Sequence, residues 1–148
     1  MTPFAAIYDA FFNLIEDDMY MEITQAETEE ECEGILMTSL PLFEFPKQGL
    51  GFTGDSFDAS LTLEEINILA YGMLTIWVQR QITTIETMRQ KFSGPDFRFT
   101  SQATHLASLA RRLQETRDQR RHLEMLYSRR EVRNGRYEST MDRLVRRI

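Results

Sequence analysis

The sequence predicts a mainly α-helical fold: a small helical bundle with two long helices, an irregular loop rich in phenylalanine and glycine, and a C-terminal arm. Three observations carry this. Apolar residues recur at spacings of three and four along most of the 148 residues, which is the period of one helix face. Helix breakers are few and grouped, with Pro41, Pro46, Gly49, Gly51 and Gly54 in one stretch and Gly94-Pro95 in another. The composition, 42% hydrophobic and 27% charged, is that of a globular chain. A chain of this length can bury a core in one domain without covalent staples.

Residues 3–17 read as a short helix. Pro3 suits a first turn, and Ile7, Phe11, Leu14 and Ile15 share a face with Phe4 and Tyr8 beside them. Asp17-Asp18 breaks the pattern, and Met19 to Ile23 form a connector. Thr24 is placed to cap a second helix, whose first turns hold Glu27, Glu29, Glu30, Glu31 and Glu33. The positive end of a helix dipole favours carboxylates there. The run has no tight glycine turn, so it does not read as a calcium loop. Ala26, Ile35, Leu36 and Leu40 serve the buried side, and Pro41 bounds the helix. Residues 41–60 are irregular. Phe43, Phe45, Phe52 and Phe57 sit among glycines and prolines, which predicts a loop or hairpin tied down by its rings. Gly49-Leu50-Gly51 lacks the preceding strand and following helix of a nucleotide-binding loop.

Thr62-Leu63-Glu64-Glu65 is a capping box. It opens the strongest helix, which runs to about Gln90. Ile66, Leu69, Ala70, Met73 and Trp77 trace one face, flanked by Leu74 and Ile76. The stripe is wide through Val78 and thins beyond it, so the helix is most buried near its start. Trp77, the one tryptophan, reads as a core or helix-interface anchor. Ser93-Gly94-Pro95-Asp96 breaks the chain, and Phe97 to Thr100 is expected as a short extended piece. Ser101 caps the last long helix, with Leu106, Leu109, Leu113, Leu123 and Leu126 or Tyr127 as its seam. Between Leu113 and Leu123 that seam carries Thr116, Arg117 and Arg120. The helix is therefore half-exposed there, or these arginines face a partner. Asn134-Gly135 is a turn. Residues 136–148 form a basic tail whose Met141, Leu144, Val145 and Ile148 suit one or two amphipathic turns. The chain so divides into a helical domain, 1–130, and a basic arm, 131–148.

Charge is divided along the chain. Residues 1–66 hold 15 acidic residues against one lysine, a net of −14, whereas residues 67–148 carry a net of +8. The basic half is almost all arginine, because Lys47 and Lys91 are the only lysines. Three arrangements satisfy the division. The halves neutralise within one subunit, with the rest of the charge on solvated faces. The acidic half of one subunit meets the basic half of the next, head to tail, which closes rings when the rotation allows. Or the arginines meet nucleic acid, against the repulsion of a strongly acidic other half.

No catalytic constellation is visible. His105 and His122 are 17 residues apart on one predicted helix, about 25 Å at the helical rise, and cannot share a metal or a proton within a subunit. Cys32 has no histidine near it in sequence, and no nucleophile elbow is present. The expectation is no enzyme activity, no cofactor and no metal. The longest apolar run, Ile66 to Val78, contains Asn67, Gly72 and Thr75 and is too short and too polar to span a bilayer. Met1-Thr2-Pro3-Phe4 shows no basic signal-peptide region. With a lone cysteine, these features predict a soluble, cytosolic protein with no membrane partner.

Two stretches carry a resemblance. The first is Leu61 to Ala70, followed by Met73, Trp77 and Gln81; the second is Asp96-Phe97, then Ser101 to Leu106, then the helix to Tyr127-Ser128-Arg129-Arg130. The segment from Ile35-Leu36 to Phe45-Pro46 fits the same pattern. Over about residues 24–130 the chain resembles the head–tail connector proteins of tailed bacteriophages, the small adaptor or neck proteins docked below the portal. The resemblance implies a mostly helical fold without a cofactor. It implies a homo-oligomeric ring, commonly of twelve subunits, that binds the portal protein on one side and the next neck or tail protein on the other. Packaged DNA passes through without being read, and the protein resides in the virion neck, or in host cytoplasm during assembly. In such adaptors a C-terminal arm often docks on a neighbour or the portal; the matching stretch here starts at Arg129. The glycine-rich loop at 47–57 and the long basic tail depart from the pattern. Combined with the charge division, this gives the candidate partner and subunit interface as Arg117, Arg120, Arg129, Arg130, Arg133, Arg136, Arg143, Arg146 and Arg147. Two readings compete: a small nucleic-acid-associated or regulatory helical protein that uses the arginine helix, and a partner-binding helical module unrelated to phage. A portal or major capsid gene beside this one separates them from the connector.

Overall fold

The capping box at Thr62 is formed as the sequence predicts. The Thr62 amide donates to Glu65 Oε1 at 3.1 Å, and the Glu65 amide donates to Thr62 Oγ1 at 3.3 Å. In the computed structural model, which describes residues 1–15, 25–91, 100–133 and 136–139, this box opens the element around which the others are arranged. The fold is mainly helical, with short strands at two places. In chain order it comprises β1 (Thr2–Pro3), α1 (Phe4–Leu14), α2 (Gln25–Ser39), a 3-10 turn (Leu40–Leu42), β2 (Phe52–Thr53), β3 (Ser56–Phe57), α3 (Leu63–Lys91), α4 (Thr100–Ser128), β4 (Arg130–Arg133) and β5 (Arg136–Ser139).

Helix α3 packs against α1, α2 and α4. That is why its apolar stripe is wide: every residue from Ile68 to Val78 except Tyr71 is buried. Beyond Gln79 the buried face narrows to Ile82 and Ile85, which pack on the core, and the threonines of this stretch bond back onto their own helix. Thr83, Thr84 and Thr87 each donate to the carbonyl four residues earlier. Trp77 is 3% exposed, so it is a core anchor. Gly72 lies where α2 crosses; a Cβ there would meet Ser39 Cβ at 3.5 Å, an ordinary van der Waals contact.

The N-terminal helix starts at Phe4, because Thr2 and Pro3 form a strand. β1 and β2 both pair antiparallel with β3, which gives the order β1-β3-β2. Thr2 Oγ1 donates to the Ala59 carbonyl and accepts from the Leu61 amide, and the Phe4 amide donates to the Asp55 carbonyl at 2.8 Å. The β2–β3 turn contains Gly54 at φ 63°, the left-handed region that two-residue hairpin turns favour. The loop tied down by rings is thus this small hairpin, but its rings divide. Phe57 and Phe43 are buried, whereas Phe52 and Phe45 are exposed. Phe4 meets Phe57 edge-on, 5.0 Å between ring centroids.

Pro41 ends α2 as expected, through one 3-10 turn. Cys32, Ile35, Leu36 and Ser39 form the buried side of α2. α4 begins at Thr100, so Ser101 lies inside the helix. The expected Asp17-Asp18 break, the connector to Ile23, the Thr24 cap and the extended piece from Phe97 to Phe99 lie outside the described residues. Among the described residues no helix is long and apolar enough to cross a membrane.

The seam of α4 differs from its expected form. It is a continuous line of Leu109, Leu113, Thr116, Arg120, Leu123 and Tyr127, in which Thr116 and Arg120 are as buried as the apolar ends. The arm differs as well. Residues 130–133 and 136–139 form an antiparallel hairpin, with Arg130 opposite Ser139, Glu131 opposite Glu138, Val132 opposite Tyr137 and Arg133 opposite Arg136. The Asn134-Gly135 turn and the amphipathic turns over 141–148 lie outside the described residues.

Candidate functional site

The site is the C-terminal end of α4 and the surfaces beside it. Tyr127 anchors it. Its hydroxyl donates to Glu65 Oε2 at 3.1 Å and accepts from the Lys47 amide at 2.8 Å. Lys47 Nζ donates to the Tyr127 carbonyl at 2.7 Å and lies 4.7 Å from the centre of its ring. Glu65 Oε1 accepts from Gln48 Nε2, from the Thr62 amide and from Thr62 Oγ1. Glu65 is 1% exposed, and a carboxylate so buried is held by these donors in place of water. The start of α3, the end of α4 and the 43–48 loop are locked together at one point. Phe43 closes the cluster edge-on against Tyr127, at 5.4 Å.

Arg120 belongs to the same lock and not to an exposed interface. Its side chain is 10% exposed. Nη1 donates to the Leu42 carbonyl at 2.8 Å and to Glu124 Oε1 at 2.9 Å. The Leu42 carbonyl ends the 3-10 turn with no helical donor beyond it, and the arginine supplies one from a helix 78 residues later. Burial pushes the Glu124 carboxyl above its ordinary value, while Arg120 pulls it down. Arg112, which the sequence reading passes over, acts similarly. Its Nη2 donates to the Leu14 carbonyl at 3.2 Å and ties α4 to the end of α1. Nothing in an arginine's local sequence says whether its long stem turns inward, since the carbonyl it meets is remote in the chain.

The other candidate arginines fall into three groups. Arg117 is half-buried and Arg129 is exposed, both on or just after α4. Arg130, Arg133 and Arg136 take positions in the β4–β5 hairpin, Arg133 opposite Arg136. Arg143, Arg146 and Arg147 lie outside the described residues. Arg111 and Arg121 are also exposed on α4 and extend the basic surface.

Two surface grooves flank this framework. One, of about 340 Å³, lies between the 43–45 segment and the end of α4, with Phe45, Met125 and Ser128 at its rim. The other, also about 340 Å³, lies between the first turns of α1 and helix α2 and is lined by Glu29, Glu30, Glu33 and Asp55. Burial and then Glu33 hold the Tyr8 hydroxyl beside it protonated far above the ordinary tyrosine range. Burial, with Glu31 and Glu29, pushes the Cys32 thiol up to about 12, so the sulfur is a neutral thiol at physiological pH. Among the described residues Glu29, Glu30 and Glu33 form no ion pair with the arginines of α4. His105 and His122 are both exposed on α4, and no group of three His, Cys, Asp or Glu side chains among the described residues could hold a metal.

No known protein family, no curated protein and no solved structure matches this chain.

Proposed function

We propose that this chain is a structural virion protein, a head–tail connector whose ring joins the portal to the next neck or tail protein and surrounds the path of the genome. One observation carries the reading beyond the resemblance. The carboxylates of Glu29, Glu30 and Glu33 are exposed and form no ion pair with α4 among the described residues, while the α4 arginines Arg111 and Arg121 are exposed elsewhere on the fold. Complementary charge left unneutralised within a subunit favours head-to-tail contact with the next one. The interface arginines are then Arg117 and the arm residues, with Arg111 and Arg121 beside them. Arg120 is excluded because it is spent inside the subunit.

Gold-labelled antibody against the protein, applied to purified virions with the tail detached, tests location. Label at the neck vertex supports the connector. Absence of the protein from virions, together with salt-sensitive DNA binding by the purified chain, favours the nucleic-acid reading.

A further inference from the structure

We propose that the groove between α1 and α2 clasps the Arg117–Arg121 pair of α4 from a second copy of this chain. The contact rests on the head-to-tail reading above and names its seat. The groove, of about 340 Å³, lies at the small end of binding-pocket sizes, so it takes side chains and not a whole element. Its lining combines two aromatic rings, Phe4 and Tyr8 with 6.4 Å between centroids, with the carboxylates of Glu29, Glu30 and Glu33 on α2 and Asp55 in the β2–β3 turn. All four acids are exposed, and no basic residue lines the groove. Burial first, and then the fields of Glu33, Glu29 and Asp55, keep the Tyr8 hydroxyl protonated. Carboxylates from two elements thus focus negative potential beside one aromatic ring.

The chemistry of the groove selects the occupant. A metal ion does not fit, because no three of these carboxylates are placed to hold one. Phosphate is repelled. A guanidinium suits both parts of the lining, since it is planar, pairs with carboxylates and stacks on aromatic faces. The described fold offers two such groups together on α4. Arg117 and Arg121 are four residues apart and so share a helix face; Arg117 is half-buried and Arg121 is exposed. The acids beside them are already engaged. Asp118 Oδ1 accepts from Gln114 Nε2 at 3.0 Å, and Glu124 Oε1 accepts from Arg120 Nη1 at 2.9 Å. Among the described residues neither Arg117 nor Arg121 forms an ion pair, so nothing within the subunit neutralises the groove with this pair. A copy that presents its arginines to the groove of the next leaves its own groove open for a third, which is a head-to-tail contact.

Sedimentation velocity of the full chain at low salt reads the contact. The unaltered chain should associate. Glu30→Arg/Glu33→Arg and Arg117→Glu/Arg121→Glu should each weaken association about a hundredfold, since like charges then face each other across the interface. Mixed in equal amounts, the two variants should recover association, because each reversed surface meets its opposite. Circular dichroism and Trp77 fluorescence should stay unchanged in both. Glu30→Gln/Glu33→Gln removes charge without reversing it; it should weaken association about tenfold and replaces the groove variant where reversal disturbs the fold. A mixture that stays monomeric with both variants folded overturns the proposal, as does an unaltered chain that is monomeric at low salt and high concentration. An arginine variant that associates like the unaltered chain also overturns it and moves the occupant to another basic surface. The connector reading fails separately. A chain found at the neck keeps that reading even when the mixture stays monomeric, and a chain absent from virions loses it even when the mixture associates.

Discussion

Arg120 and Cys32 show how burial changes what a residue can do. Arg120→Ala removes the donor to the Leu42 carbonyl and the partner of Glu124. It should destabilise the fold by about 1–3 kcal/mol, the cost of leaving buried polar groups unmade, whereas Arg117→Ala should leave the denaturation midpoint nearly unmoved. Urea titration of both variants separates a structural from an interfacial arginine. Cys32 gives a pH dependence with a definite sign. Its folded thiol holds its proton up to about 12 against 9.0 for the free group. Between those values the folded state binds more protons than the unfolded state, so stability is full below pH 9 and falls as pH rises toward 12. Cys32→Ala should delay the alkaline loss to the range above pH 10, where Tyr8 takes over with the same sign, and thermal melts at pH 8, 9.5 and 11 check it. Trp77 was legible as an anchor because its helix has apolar neighbours at regular spacing. Arg120 was not, because the carbonyl that draws it inward is 78 residues away in the chain.

At the scale of elements, local signals located the helices and a loop or hairpin over 41–60, but not β1 or the β4–β5 pair. The capping box names its own partners within four residues, and α3 starts where it says. Glu65 nevertheless does more than cap: it also holds Gln48 and Tyr127, which no local motif announces. Thr62→Ala should cost about 1 kcal/mol, the usual value of a cap, as read from the chemical-denaturation midpoint. A larger loss would mean that the Tyr127 lock fails with it. The β4–β5 hairpin flanks Asn134-Gly135, a strong hairpin signal, yet the basic tail masked it. Its register sets Arg133 against Arg136 and Glu131 against Glu138. A sequence dominated by arginine reads as an arm before it reads as strands. The three-stranded sheet was hidden for another reason: each strand is two residues long, too short for alternation to register.

For the whole molecule, the mainly helical bundle was legible from periodicity and the grouping of breakers, while the sites at the end of α4 were not. Both grooves are built from segments distant in sequence, and the charge division, which sequence does show, leaves open where each charge ends. With Glu29, Glu30 and Glu33 of α2 and Arg111 and Arg121 of α4 exposed, self-association should weaken as salt rises, since exposed charge is screened over about 8 Å at physiological ionic strength. Light scattering from low to high salt tests this, and association that strengthens with salt would assign the interface to apolar surface instead. The connector reading itself is tested most directly by electron microscopy of the purified chain, alone and mixed with any portal protein that its genome encodes. The account predicts a closed ring seated coaxially on one face of the portal, with neighbouring subunits meeting acidic α2 to basic α4. A chain that leaves the portal bare at low and physiological salt would contradict it.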